Sequence, residues 1–494
     1  MNNDALTKDA LSRWAGEHRE PFEALLKAFV EIPSVSSDPE RKPAIRGMAE
    51  LAVQTIVEHG GVGELFETAG NPIVHGLWGN DPALPTVTVY NHLDVQPADR
   101  EKDGWKSEPF AFTKVGDKYF ARGSTDDKGP ALTALFGIVA ARAAGVPANL
   151  RVLWEFEEEI GSPSFEKGIS AAAAALATDS VIVSDTVWIA RGKPACSAGL
   201  RGLQGFRLVL ETGESDEHSG TTGGAARNPM GELCKLVSEI YDATTGKVKI
   251  PGFYEDVAPL TRKELEWFKA SGFSVKGFMA DHRFRSIRTK DPLEVMKRIW
   301  ALPTFEVHGF TGGYTGKGIK TIIPPRGEVK CSFRLVPDQD PEKLMRLLEK
   351  FVKSRNRDVK VEREGRLGPY RAVTSGPLVE AVQRSVKFAF GKNPVFVREG
   401  GSIGAVLTME KVLKAPIAFL GLSLPEHGYH APNENYDWEQ ASGGMVAFAK
   451  YFAEVATLGK AGIGAGPAPA RATKKAAEKK AAGKKPAKKK PAGK

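Results

Sequence analysis

Along residues 8–30 the apolar positions Leu11, Trp14, Phe22, Leu25, Leu26 and Phe29 recur at helical spacing, and Ile32-Pro33 closes the run. That predicts one amphipathic opening helix. A second helix is expected from Pro43 to His59, stopped by Gly60-Gly61, and a strand from Pro72 to Leu77. Pro85 to Tyr90 is β-branched and aromatic without alternation, the pattern of a strand buried on both faces. It runs directly into Asn91-His-Leu-Asp94. An apolar helix follows from Pro130 to about Ala144, with Pro130 expected at its first position and Gly145 just past its end. Leu150 to Phe156 and Asp179 to Asp185 read as further strands. Strands alternating with helices predict an α/β fold whose sheet is mostly parallel and flanked by helices, with its chemistry collected where the strands end.

From about Leu203 the pattern changes. Gln204 to Glu211 alternates as a half-buried strand, Pro229 to Tyr241 is helical, Gly327 to Pro337 is a strand and Pro341 to Ser354 a helix. Pro377 to Phe390 resumes helix, Pro416 to Leu420 is a strand, and a last helix covers about 438–457. The expected organisation is a main α/β domain made of residues 1–203 and 369–460, an inserted α+β lid and dimerisation domain over 204–368, and a tail over 461–494.

Charge sharpens that last boundary. The formal net charge is +9, but residues 461–494 hold Arg471 and ten lysines against Glu478, a local balance of +10, which leaves −1 for the preceding 460 residues. The body is neutral, and only the tail carries a basic signal. Its Lys, Ala, Pro and Gly composition cannot bury a core, so it is expected to be disordered and suited to nucleic acid or another polyanion. Three cysteines, Cys196, Cys234 and Cys331, lack CxxC spacing and are odd in number, which argues against a disulfide framework or thiolate zinc site and for a reducing cytoplasm. No apolar run is long enough to span a membrane, and the N-terminus has no export signal.

The candidate chemistry centres on Val152 to Ser162, where a strand delivers Glu157, Glu158 and Glu159 into a Gly-Ser turn. Three consecutive acids alone read more readily as a solvated loop. His92, Asp94, Asp126, Asp185 and His430 also fall at predicted strand or loop ends, and the mixture of imidazole and carboxylate suits zinc, or manganese or cobalt in its place. Singly each has a bland reading: His92 as an ordinary buried histidine, Asp126 as a helix cap, Asp185 as a turn acid.

Five ordered stretches carry more: Asn91-His92-Leu-Asp94-Val-Gln-Pro97, Arg122-Gly-Ser-Thr-Asp126-Asp-Lys-Gly-Pro130, Glu155-Phe-Glu-Glu158-Glu159-Ile-Gly-Ser162, Val183-Ser-Asp185 and Tyr429-His430-Ala-Pro-Asn-Glu434. Together they resemble the dinuclear-zinc peptidase family that includes cytosolic non-specific dipeptidase, carnosinase, glutamate carboxypeptidase, succinyl-diaminopimelate desuccinylase and aminoacylase. The resemblance covers residues 10–457. It is strongest to the dipeptidase branch, through Lys193 to Gly202, His218-Ser-Gly220, Lys320 to Pro324, Phe333 to Pro337 and Arg398 to Ile403.

The resemblance implies two metal ions, with Asp126 bridging, His92 and Asp185 completing one site, and Glu159 and His430 the other. It implies Glu158 as general base and Asp94 as the group that orients His92. It further implies a homodimer in which His218 and Thr321 reach a partner's site while Arg334 and Ser402 hold a substrate carboxylate. The expected activity is hydrolysis of dipeptides or short peptides, with removal of the acyl group from an N-acyl amino acid as the alternative. Asn91, Gln96, Phe156 and Glu157 depart from the family pattern, and none of them changes a ligand type.

Overall fold

The computed structural model describes residues 2–464. The chain opens with α1 (Lys8–Glu17), α2 (Arg19–Val30) and α3 (Lys42–Glu58), then β1 (Val62–Phe66), β2 (Ile73–Trp78) and β3 (Thr86–His92). Next come α4 (Lys128–Ala143), β4 (Asn149–Glu155) and β5 (Ser180–Val183). A second group holds β6 (Gly202–Glu211), α5 (Pro229–Ile240), β7 (Thr304–Gly312), β8 (Arg326–Leu335), α6 (Pro341–Arg355) and β9 (Lys360–Leu367). The chain then returns through α7 (Pro377–Phe390), β10 (Ile417–Phe419) and α8 (Trp438–Gly464).

Six strands form the main sheet in the order β1-β2-β4-β3-β5-β10. From β4 to β10 all pairings are parallel, while β1 and β2 add an antiparallel edge. Every residue of β3, β4 and β5 is buried, as expected for parallel strands covered on both faces. α4 is apolar nearly all round because it lies inside the layer, between β3 and α8. Their close approach needs Gly137, where a Cβ would come within 2.4 Å of Phe448 Cβ.

The second sheet, β7-β8-β6-β9, is antiparallel throughout. Burial alternates along β6, and a separate core of Phe206, Leu208, Phe333, Leu344 and Leu348 fills the space between this sheet and its helices. The short helix Arg262–Ala270 and the helical turn Lys297–Ala301 pack against the strand Val395–Glu399, where Arg398 Nε donates to buried Glu264 at 3.0 Å.

The mixed α/β class with a mostly parallel, helix-flanked sheet is the one expected, but several elements differ in detail. The opening helix is two helices, broken at His18, whose ring stacks on Trp14 with centroids 3.8 Å apart. α4 starts at Lys128, so Pro130 is its third residue and not its first. α8 continues past 457 with one non-helical residue, Gly459, and Ile463 is buried. The first four residues of the expected tail, 461–464, are therefore helical. The remainder of that segment, including all its lysines and Arg471, lies outside the described residues. Among the described residues no helix is long and apolar enough to cross a membrane.

Candidate metal centre

β3 ends on His92, whose ring is 1% exposed. His92 Nδ1 donates to the Asp94 backbone carbonyl at 3.0 Å, which fixes the tautomer and turns Nε2 outward. Nε2 stands 3.0 Å from Asp126 Oδ1 and 3.9 Å from Asp185 Oδ2. The other oxygen of Asp126, Oδ2, lies 3.1 Å from His430 Nε2, which is also 3.0 Å from Glu159 Oε2. One buried carboxylate thus faces two imidazoles from opposite sides.

The three consecutive acids do three different things. Glu157 turns away: Asn71 N–H and Ser164 N–H donate to its two oxygens, both at 2.8 Å, and Gly70 leaves room for it, since a Cβ there would fall 1.9 Å from Glu157 Oε1. This extra acid ties a loop and takes no part in the metal centre. Glu158 and Glu159 point inward from a tight turn whose N–H groups donate to Asp94 Oδ1 and Oδ2 at 3.2 and 3.1 Å. Gln96 Nε2 donates to Glu159 Oε2 at 2.7 Å. That contact gives Gln96, a departure from the family pattern, a place beside an acid of the centre.

Crowding of the buried acids, beside an exposed His430, shows in their titration. Burial and the carboxylates of Asp185, Glu159 and Asp94 push Glu158 well above the usual carboxylate range against the pull of His92. Burial raises Asp185 to about 7 and also raises Glu159. The imidazoles respond in the opposite sense. Burial disfavours their charge, yet hydrogen bonds to Asp126 and its neighbours hold His92 well above its ordinary value and His430 at about 11. The cluster therefore demands positive charge, and its donors fit divalent cations. Asp126, Glu159 and His430 form one group with ligand atoms within 4.8 Å of one another; His92, Asp127 and Asp185 form a second.

Sequence reasoning passed over Asp127 as a candidate. Asn91 Nδ2 donates to its Oδ2 at 2.7 Å, while its Oδ1 is buried without a hydrogen-bond partner. Glu434 was also given no role. Its fully buried carboxylate accepts from Arg122 Nη1 (2.7 Å), Gly123 N (3.0 Å), Thr125 N (2.9 Å) and Asp126 N (3.1 Å). It locks the backbone that presents Asp126 to the loop that presents His430. Four charge-assisted bonds on one carboxylate are a strong local restraint. His430 itself sits at φ 52, a left-handed conformation that a non-glycine residue adopts at a cost of about 1–3 kcal/mol. Tyr429 donates its hydroxyl to Asp185 Oδ1 at 3.3 Å, so the His430 loop touches both ligand groups.

The remaining candidates fall in two places. Arg334 Nη1 donates to Ser402 Oγ at 3.3 Å, and Ser402 Oγ donates to the Arg201 carbonyl at 2.6 Å. Burial and the like charge of Arg334 lower Arg201 to about 10, so two guanidinium groups share this corner. His218 and Thr321 lie elsewhere: His218 ends the strand Glu217–His218, Thr321 immediately precedes its partner Ile322–Ile323, and Ser219 N–H donates to the Thr321 carbonyl at 3.0 Å. Both are exposed, and His218 Nδ1 accepts from Gly220 N–H at 2.9 Å.

Residues 88–454 match Peptidase family M20/M25/M40. The chain is similar to the Cys-Gly metallodipeptidase DUG1 of Candida albicans, 34% identical over 85% of this chain and 92% of that protein. It is similar to the Beta-Ala-His dipeptidase of Homo sapiens, 31% identical over 89% and 91% of the two chains. Its fold is similar to that of the di-peptidase Dug1p from Saccharomyces cerevisiae, with a TM-score of 0.83, 29% identity, and coverage of 92% of this chain and 99% of the other.

Proposed function

The chain belongs to Peptidase family M20/M25/M40 and is a metallopeptidase, and from that premise we propose that it hydrolyses the peptide bond of dipeptides or short peptides with a water activated at two metal ions. The observation that carries this reading is Asp126, whose two carboxylate oxygens each face one imidazole at 3.0 and 3.1 Å, with Glu158 beside them on the adjoining turn. In this reading Asp126 would be shared by the two ions, His92 and Asp185 would hold one of them, and Glu159 and His430 the other. Zinc suits the donor set, with Mn²⁺ or Co²⁺ as substitutes. When bound, such a pair lowers the pKa of a water and polarises the scissile carbonyl.

The protein's own groups do the rest. Glu158 would serve as the general base, taking a proton from the attacking water and giving one to the leaving amine nitrogen, a task that suits a carboxylate for which the described residues provide no side-chain hydrogen bond. Asp94 holds the Glu158–Glu159 turn and, through its backbone carbonyl, the His92 tautomer. Arg334 and Ser402 receive the substrate's C-terminal carboxylate, which a guanidinium and a hydroxyl at hydrogen-bond distance suit. His218 and Thr321 act on the site of a second copy in a homodimer, with His218 stabilising the developing oxyanion. Residues 1–203 and 369–460 form the catalytic unit and 204–368 the lid.

Substrates named for the relatives, Cys-Gly and Beta-Ala-His, are the first dipeptides to try. Deacylation of N-acyl amino acids is the second reading, because the Arg334–Ser402 pair serves any substrate with a free carboxylate. Incubating the zinc- or manganese-loaded protein with both substrate classes and reading products by mass spectrometry separates the two; release of free amino acids from dipeptides alone supports the first.

The three free cysteines belong with a reducing cytoplasm. The basic C-terminal residues add contact with a polyanion to this reading. A chain ending at Gly464 should keep peptidase activity and lose salt-sensitive retention on heparin, since every proposed catalytic residue precedes the cut. Equal retention of both chains would move that contact into the body.

A further inference from the structure

The corner that holds Arg334 and Ser402 contains two guanidinium groups and no acid to match them. Arg201 stands just before β6, whose Leu203 is paired with Arg334 of β8. Residues two positions apart on a strand share a face, so Arg201 falls on the same side as Arg334. The two charges repel, and that repulsion adds to burial in lowering Arg201. Each is held by a hydrogen bond to a neutral group: Arg201 Nε donates to the Gly400 carbonyl at 3.1 Å, and Arg334 Nη1 to Ser402 Oγ at 3.3 Å.

Other shielded guanidinium groups of the chain are matched. Arg122 meets Glu434 at 2.7 Å, Arg191 meets Glu426 at 2.7 Å, Arg207 meets Glu362 at 2.8 Å and Arg398 meets Glu264 at 3.0 Å. Arg151 points Nη1 at two carbonyls, 2.7 and 2.8 Å away. Among the described residues no carboxylate forms an ion pair with Arg201 or Arg334. The one acid whose charge reaches them is Glu306, which is exposed on the neighbouring strand β7.

Arg201 also opens onto a cavity of about 480 Å³, whose wall includes Gly400 and Tyr429. The Tyr429 hydroxyl reaches Asp185, so the cavity extends from the metal centre to this corner. Three acids line it, and none offsets Arg201. Glu426 is bound by Arg191, Asp281 exerts no pull on Arg201, and the Glu399 carboxyl is pushed up by burial and by Asp185 with no opposing pull from Arg201.

We propose that Arg201 and Arg334 together select substrates whose C-terminal residue carries a second carboxylate, so that dipeptides ending in Asp or Glu are preferred. The proposal rests on the dipeptidase reading, in which Arg334 and Ser402 hold the substrate's α-carboxylate. That carboxylate matches one guanidinium. A side-chain carboxylate, a short aliphatic chain away, supplies the anion that Arg201 lacks. A neutral side chain leaves Arg201 shielded from water and unmatched, and a cationic one adds to the repulsion. A charge-assisted hydrogen bond in such a place contributes roughly 10–100-fold in binding.

The test is a series Ala-X with X as Ala, Asn, Asp, Gln, Glu and Lys, run on the full chain loaded with zinc. The expected result is that kcat/KM for Ala-Glu exceeds that for Ala-Gln, which has nearly the same shape, by about 10–100-fold, with Ala-Lys lowest. The difference should lie in KM, because Arg201 touches no reacting atom. As a comparison that needs no variant, L-Glu should inhibit the unaltered protein at concentrations roughly tenfold below those of L-Gln. Arg201→Gln should bring the Ala-Glu to Ala-Gln ratio toward unity, and Arg201→Lys should keep part of it. Reading both substrates on one preparation cancels any loss of folded or metal-loaded protein. A flat Ala-X series with normal turnover, equal inhibition by L-Glu and L-Gln, or a ratio that survives Arg201→Gln overturns the proposal and leaves the dipeptidase reading intact. Hydrolysis of N-acyl amino acids without hydrolysis of any dipeptide overturns the dipeptidase reading, and the preference proposed for dipeptides falls with it.

Discussion

The metal centre and the His218–Thr321 patch are built in opposite ways. The centre is assembled from strand ends and loops far apart in sequence, its carboxylates are shielded from water, and its parts are bound to one another across the fold: Asp94 to the Glu158–Glu159 turn, Glu434 to the Asp126 loop, Tyr429 to Asp185. The patch is exposed; Ser219 N–H joins its two segments through the Thr321 carbonyl, and the other hydrogen bonds around His218 stay within four residues. The contrast separates two requirements of catalysis. Charge stabilisation needs a dry, preorganised cluster that one chain can close on itself. Substrate handling can be left to groups that complete the site only when another surface arrives, which is the reading proposed for the lid in a dimer.

The largest expected effect breaks the first half of that contrast. Replacing Asp126 by Ala removes the carboxylate that stands between both imidazoles, so elemental analysis should find both ions weakened and activity at background. Loss of a single ion would contradict the bridging role. Next in size is Glu434→Gln. It keeps the shape but removes the charge that gathers Arg122 and three backbone N–H groups, and should weaken metal binding by roughly 10–100-fold, the usual cost of disturbing a ligand's supporting partners. Titration with Co²⁺ would measure this directly, and an unchanged affinity would reduce Glu434 to a fold element. The lid is probed by mixing His218→Ala and Glu158→Gln chains, each nearly inactive alone. If His218 acts on a second copy, mixed dimers regain one working site, and no recovery after demonstrated subunit exchange would place its action elsewhere.

The fold class was legible because the strands of the parallel core are rich in β-branched and large apolar residues and the motifs sit at their ends. Edge elements were not. Val62–Phe66 and Thr304–Gly312 carry no full hydrophobic run, since each faces solvent in part and is defined by the strand it pairs with. The break at His18 leaves the apolar spacing on both sides nearly in phase, so periodicity alone joins the two helices. Within the centre, residue types that bind metal announced themselves, whereas Glu434, Asp127 and Tyr429 matter through partners hundreds of residues away or on another loop. Glu157 shows the converse: three adjacent acids look equivalent in sequence, and only Asn71, Ser164 and Asp94 distinguish them.

In the proposed mechanism Glu158 transfers protons and Glu159 binds metal, although the two are adjacent and chemically identical. Metal content of Glu158→Gln and Glu159→Gln, measured side by side with the unaltered protein, tests the assignment. The expected result is two ions per chain in the unaltered protein and in Glu158→Gln, with turnover of the latter lowered by about 10²–10⁴-fold, and a deficit of metal in Glu159→Gln. A metal deficit in Glu158→Gln with full occupancy in Glu159→Gln would reverse the two roles and contradict the central claim.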